Sequence, residues 1–356
     1  MRIGLFTERA SAIPGSLPAT VDAVVAHRPD DASIHLYCGA ASLVALRHTR
    51  DIAVQAAADR IDVVHLATTG PMAIIALLIA SRFNLPVVAS LPPRATTAGN
   101  VHRTYLRVLV RRCRKLLVTS MTARTAFLRA GVCASKLIVW RPGVDTSMFT
   151  ASKRSVTLRE RWEVSDSRPA VIYAGEISDD RGAQRLLSLE LELHRTRPMH
   201  RLIVAGDGRN RDELQARCPN AIFMGQVPPA KMPELLASGD LFVCPNETNS
   251  TNLAVLEAQA SGLPVVLMER GSARERVSLS TSIVCRSQAD FIVETAALIR
   301  TGERRRAMGF AARDHAARQA WQSGLISVYA EYRAAAEALR LRRDLEPAFI
   351  PQGRRF

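Results

Sequence analysis

The sequence predicts an α/β protein of two Rossmann-like, doubly wound domains that face a central cleft. Three observations lead there. With 356 residues the chain is longer than one hydrophobic core usually organises. Short β-rich runs alternate with segments of helical period or polar loops, in two successive series. A polar, broken stretch from Asp145 to Arg168 separates the series, and Pro169 opens the second.

Taken in order, the first series reads RIGLF, SIHLYC, DVVHL, PVVAS, KLLVTS and KLIVW. The second reads VIYAG, RLIVAG, AIFMG, DLFVCP, PVVLM and SIVC. Each is the pattern of a mostly parallel sheet, with domains expected over residues 1–150 and 151–320. Residues 321–356 close the chain as a helix and basic tail, long enough to pack back toward the first domain. In such domains ligands bind where strand C-termini meet loops and helix N-termini. The second half puts Gly175-Glu176, Gly206-Asp207-Gly208, Gly225 and the Asn246–Asn252 loop at those ends. Gly206 and Gly208 do not form a dinucleotide fingerprint, since Arg211 stands where the third glycine belongs, and no P-loop occurs.

One helix carries an odd residue. In PNETNSTNLAVLEAQASGLPVV, Ser250 or Thr251 is expected to cap a helix that buries Leu253, Val255, Leu256 and Ala260, with Gly262 and Pro264 ending it. Glu257 sits inside this apolar turn. It is either an ordinary helix-surface carboxylate or the partner of a ligand hydroxyl.

Charge is uneven along the chain. The net charge is +15, and residues 1–150 hold eighteen Lys and Arg against eight Asp and Glu. From Val63 to Val144 there is no acidic residue, while twelve basic ones stand between Arg82 and Arg141. That asymmetry calls for an anionic partner. A helix predicted over Val101–Leu116 aligns Arg103, Arg107, Arg111 and Arg114 as a stripe suited to an anionic membrane or acceptor face. A nucleic-acid partner is not expected, because no recognition module is present and aromatics make up only 5%.

Other classes fall away on spacing. The longest apolar run, Met72 to Ala80, is too short for a membrane span of roughly 18 residues. Glu8 and Arg9 interrupt what a signal peptide would keep apolar, so a cytoplasmic protein is expected. Six scattered cysteines and eight histidines give no disulfide or metal-ligand spacing. No facing carboxylate pair suggests glycoside hydrolysis, and no Ser-His-Asp context suggests acyl transfer.

These residues together resemble the family 4 glycosyltransferases, retaining enzymes of the GT-B fold, over about residues 1 to 335. VIYAGEISDDRG is similar to the family's phosphate-clamping turn, AIFMGQVPPAKMPELLASGDLFVCP to its donor-domain core, and LEAQASGLPVV to its second-glutamate helix. DVVHLATTGPM, KLIVWRPGVDTSMF and RRAMGFAARDHAARQAWQSGL resemble its remaining segments. The resemblance implies transfer of a sugar from a UDP- or GDP-linked donor to a glycolipid or lipid-linked acceptor, at the inner face of the membrane. It implies no cofactor beyond that donor and no metal.

It also implies roles for residues. Glu257 matches the glutamate that accepts hydrogen bonds from ribose hydroxyls, a task suited to a carboxylate because it can take two O–H donors. The donor site would comprise Gly15, Gly175, Glu176, Arg181, Gly206, Gly225, Asn249, Ser250, Thr251, Asn252 and Glu257. Pro14-Gly15-Ser16 resembles the glycine loop that meets the diphosphate, although it also reads as a plain turn. Several positions depart from the family. Asn249 replaces its first glutamate and Asn252 its glycine. Glu176 replaces the clamping arginine and Arg181 the lysine. A carboxylate about 4 Å from a phosphate costs roughly 1 to 4 kcal/mol, so Glu176 is expected to turn away or to pair with Arg181 or Arg185. Where the family often carries a histidine, the chain reads Leu91-Pro92-Pro93-Arg94, and His102 substitutes only if its loop folds back. His102 and Asn249 are the candidates for a catalytic contribution.

Overall fold

The computed structural model describes residues 1–8, 16–39, 47–91, 100–196, 199–248 and 251–345. In the first half it contains β1 (Arg2–Glu8), α1 (Ser16–Ala26), β2 (Ser33–Gly39), α2 (Thr49–Ala58), β3 (Val63–Leu66), α3 (Pro71–Arg82), β4 (Val87–Ser90), α4 (Asn100–Arg112), β5 (Lys115–Val118), α5 (Met121–Arg129) and β6 (Leu137–Val139). Then come α6 (Val156–Arg161), β7 (Ala170–Ala174), α7 (Ala183–Arg195), β8 (Arg201–Ala205), α8 (Arg211–Arg217), β9 (Ile222–Gly225), α9 (Met232–Ala237) and β10 (Leu241–Cys244). The chain continues through α10 (Leu253–Ala260), β11 (Val265–Met268), β12 (Ser282–Cys285), α11 (Gln288–Arg300), α12 (Gly302–Ala317) and α13 (Trp321–Leu345).

Two six-stranded parallel sheets result, ordered β2-β1-β3-β4-β5-β6 and β12-β11-β10-β7-β8-β9. Strands β3, β10 and β11 are buried at every residue, as helices covering both faces of a parallel sheet require. Strand order reverses between β1 and β3 in one sheet and between β7 and β10 in the other. Such switch points open a crevice beyond the strand C-termini, which is where a ligand fits an open α/β sheet.

The closing helix α13 lies on the first sheet. Leu325, Val328, Ala335 and Ala336 join Ile3, Leu5, Val63 and Val88 in one apolar cluster. Two phenols fix its register: Tyr329 Oη donates to Val24 O at 2.6 Å, and Tyr332 Oη lies 2.6 Å from His65 Nδ1. Burial pushes the His65 imidazole down to about 4, so it stays neutral, accepting from Tyr332 and facing Ser90 Oγ through Nε2 at 3.0 Å. His65 is therefore a core histidine, held as a hydrogen-bonding strut between α13 and the end of β4.

A second junction joins the halves directly. The turn Ser272–Arg276 after β11 brings Glu275 to the N-terminus of α5, where its carboxylate accepts from the N–H groups of Met121 and Thr122, each at 2.8 Å. Thr122 Oγ1 adds a third bond at 2.5 Å. A carboxylate at a helix N-terminus satisfies orphan donors and the macrodipole together. The buried Arg276 guanidinium donates to Pro142 O at 3.3 Å and Thr119 O at 2.9 Å.

Two local expectations change. The helix predicted to reach Leu116 ends at Arg112, because Lys115–Val118 pair with β4 and Arg114 N–H donates to Val87 O at 2.7 Å. Lys136 Nζ seals that end by donating to the carbonyls of Val110, Arg111 and Cys113. Arg114 thus leaves the stripe, whose exposed described members are Arg107 and Arg111, with Arg112 beside them. The side chain of Arg103 lies outside the described residues. Nor does Thr251 cap α10: the cap position is Asn252, in the left-handed conformation at φ 51°, without a side-chain capping bond. Asparagine tolerates that conformation better than most side chains, so it suits a position where the resembled family has glycine.

Candidate functional site

Between the two sheets lies a cleft of about 1140 Å³. Its second-domain wall is built from loops at the C-termini of β7, β8 and β10 and from the start of α10. Gly175, Glu176, Arg181, Gly206, Asn252 and Glu257 all line it. Gly225 stands one residue behind the wall, where its carbonyl accepts from Gly206 N–H at 2.8 Å, and Gln226 faces the cleft instead. Thr251 is not part of the wall. Gly15, Asn249, Ser250, Pro92, Pro93, Arg94 and the His102 side chain lie outside the described residues.

Glycine at two of these positions is a packing requirement. A Cβ on Gly206 would stand 1.8 Å from Gly175 O, and one on Gly208 would stand 2.3 Å from Ile177 O. The loops after β7 and β8 therefore touch backbone to backbone, leaving their peptide groups at the cleft wall.

Glu257 is half-buried on α10 and lines the cleft. Among the described residues its carboxylate has neither a hydrogen-bond nor an ion-pair partner. Burial pushes the carboxyl up to about 7, since a charge in this apolar turn loses hydration without gaining a counter-charge. A group in that condition is poised to accept hydrogen bonds from something placed in the cleft.

Glu176 does pair, and with Arg181: Nε lies 3.7 Å from Oε2. Arg181 Nη1 also donates to Thr248 Oγ1 at 3.1 Å. Arg185, the other expected partner, turns instead to Glu247, with Nη2 at 2.7 Å from Oε2. The reason is Gly182. Its left-handed backbone, φ 84°, breaks the helical path between the two arginines and sends them to different carboxylates. The turn that resembles a phosphate clamp is thus charge-balanced by its own residues. Glu176→Arg should tighten nucleoside-diphosphate binding, because it replaces repulsion by attraction, and Arg181→Ala should weaken it. Titration calorimetry with UDP and GDP checks both; unchanged affinity in both variants would detach this turn from the phosphate.

Sequence reasoning missed several cleft residues. His27 just after α1, Asp145 and Met148 in the junction, Gln226 after β9 and Trp321 at the start of α13 come from separate segments. Gln226, directly after a predicted strand, carried a positional signal, and Asp145, Met148 and Trp321 lie in segments that resemble the family without being singled out there. Asp145 is held by its own turn: Ser147 N–H and Oγ and Met148 N–H donate to Oδ1, and the Ser147 hydroxyl keeps the carboxyl below its ordinary range.

Two family models match the chain. One, described as glycosyl transferases group 1, matches residues 168–301, and the other, glycosyltransferase family 4, matches residues 14–148. Sulfoquinovosyl transferase SQD2 of Arabidopsis thaliana is 29% identical over 294 residues, covering 77% of this chain and 57% of that protein. A GDP-mannose-dependent alpha-(1-6)-phosphatidylinositol monomannoside mannosyltransferase of Mycolicibacterium smegmatis is 29% identical over 239 residues, covering 62% of each. The chain spans about three-fifths of the length of these curated relatives. Among solved structures, Anabaena Alr3699/HepE in complex with UDP and glucose superposes with a TM-score of 0.77 at 18% identity, covering 94% of this chain and 100% of that one. At that identity the likeness concerns the fold alone.

Proposed function

Because the chain belongs to the group 1, family 4 glycosyltransferases and has their GT-B fold, we propose that it transfers a sugar, with retention, from a nucleotide-diphosphate sugar to a membrane-associated acceptor. The observation that carries this reading is Glu257, a carboxylate on the cleft wall that has no partner among the described residues and whose proton affinity is raised by burial. Two vicinal hydroxyls of a ribose would supply the donors it lacks. Gly175 and Gly206 offer backbone dipoles to the diphosphate, and Arg181 offers a guanidinium whose fork matches phosphate oxygens. The leaving diphosphate is stabilised by such dipoles and charge, so few catalytic side chains are needed.

A lipid-linked acceptor is supported by the charge of the first domain and by the phosphatidylinositol monomannoside in the name of the mycobacterial relative. No helix among the described residues is long and apolar enough to cross a membrane. Docking would instead use the outer face of α4, where Arg107, Arg111 and Arg112 are exposed with Val108 among them. Each basic residue near an anionic bilayer contributes about 1 kcal/mol within roughly a Debye length, about 8 Å. Cosedimentation with anionic vesicles should fall with salt and fall further for Arg107→Gln with Arg111→Gln; indifference to salt, lipid charge and mutation would remove membrane docking.

The second reading is a nucleotide-sugar-binding homologue with weakened catalysis, favoured by the Glu176–Arg181 pair inside the clamp. Incubation with UDP- and GDP-sugars separates the two. Release of nucleoside diphosphate supports transfer; a raised melting temperature without release, with a lipid extract present as acceptor, supports the binding subunit.

A further inference from the structure

A second concave site lies at the opposite end of the first sheet from the cleft. It is a groove of about 420 Å³ between the α3–β4 loop, the α4–β5 loop and the last turns of α13. Arg112, Arg114 and Arg342 line it, and no acidic side chain does so among the described residues. None of these three guanidiniums has a hydrogen-bond or ion-pair partner among the described residues. Lys136 also lines the groove, but its three bonds to the carbonyls at the end of α4 spend its charge on the helix C-terminus. Those bonds neutralise the negative end of the α4 dipole, which would otherwise cancel part of the arginine field. The floor is apolar, from Leu77, Leu85 and Leu339.

The rim repeats this mixture of charge and apolar surface. Leu78, Val108 and Leu341 are each more than half exposed. They stand beside Arg82, Arg112 and Arg342, either one helical turn away or next in sequence, and Arg340 and Arg343 are exposed as well. Apolar side chains ringed by arginines suit the boundary between lipid headgroups and acyl chains.

We infer that this groove receives the phosphate of an anionic phospholipid, with the three guanidiniums on the phosphate oxygens and the apolar floor under the adjoining carbons. The inference rests on the membrane docking proposed above and gives it an orientation. Helix α4 has 13 residues, about 20 Å at 1.5 Å per residue, and runs from the cleft end of the sheet to the groove. A molecule lying with α4 against the bilayer brings the groove and the cleft rim to the lipid surface together. Arg114, which leaves the helical stripe, is thereby assigned to the groove with Arg112 and Arg342.

Flotation with vesicles of phosphatidylcholine, alone or mixed with phosphatidylglycerol, tests the assignment. The parent should bind only the mixed vesicles, and Arg112→Gln, Arg114→Gln and Arg342→Gln together should lower partitioning on the order of a hundredfold. Ser81→Trp, at an exposed lining position, fills the groove without changing charge and should also lower it. A control removing Arg209, Arg286 and Arg304, exposed charges of the other domain, should change it little. Full binding by Ser81→Trp, or an equal loss in the control, means diffuse attraction and overturns the groove while leaving docking intact. Failure of the parent to bind mixed vesicles overturns docking and the groove together. Stabilisation of the parent by inorganic phosphate without vesicle binding would assign the arginines to a free anion and overturn the lipid.

Discussion

Glu257→Ala is expected to weaken nucleotide-sugar binding by about 1.5 to 3 kcal/mol, the scale of hydrogen bonds to a charged group. No protein partner competes for this carboxylate among the described residues, so the loss belongs to the ligand. Its pH dependence has a defined sign. The carboxyl titrates near 7 in the folded protein against an ordinary 4.5, so the charged form that accepts two hydroxyl hydrogens accumulates as pH rises through 7. Donor affinity of the parent should therefore rise across that interval, and Glu257→Gln should flatten the profile. Stability of the free protein moves the other way. A folded-state carboxyl that holds its proton more tightly than the unfolded one favours folding most below about 4.5, and this contribution is lost as pH rises toward 7. Above pH 7, Glu257→Gln should melt no lower than the parent. Calorimetric titration across pH and thermal melts check both, and equal donor affinity in parent and alanine variant would rule out the ribose role.

Arg276→Ala is expected to cost about 2 to 5 kcal/mol of stability. The guanidinium is 2% exposed and serves the carbonyls of Thr119 and Pro142 in the other half of the chain, and each buried carbonyl left unpaired costs about 1 to 3 kcal/mol. The loss should appear as a lower melting temperature. Beside Arg276, Glu275 fastens the same edge through the α5 N-terminus, so the pair sets how the two cleft walls face each other. Arg276→Lys should recover part of the stability, since one ammonium reaches fewer carbonyl directions than a planar fork. A melt unchanged by Arg276→Ala would show that the junction is held elsewhere.

The inner strands were legible because a parallel strand buried on both faces is written as a short continuous apolar run, as in VVHL or LFVC, closed by polar or turn residues. The half-exposed edge strands β2 and β9 read from their place in the alternation. The end of α4 was not. Helical spacing continues through Arg114 to Leu116 while KLLVTS also reads as a strand, so the two readings overlap at Lys115 and Leu116, and pairing with β4 decides for the strand. Glu257 was legible as a misfit, a carboxylate in an apolar turn. The partner of Glu176 was not, because Gly182 rather than helix spacing directs Arg181 and Arg185. Asn252 read as a lost glycine, whereas its positive φ shows how asparagine serves the same backbone conformation. His27, Asp145 and Trp321 reach the cleft by tertiary packing alone, which no local pattern encodes.

Whether Glu257 holds a nucleotide sugar is decided by calorimetric titration of the parent and of Glu257→Ala with a panel of UDP- and GDP-sugars. At least one of them should bind the parent, and the alanine variant should bind the same compound about tenfold to a hundredfold more weakly with its fold intact. Absence of binding to the parent across the panel, or identical affinities for the two proteins, would contradict that role for Glu257.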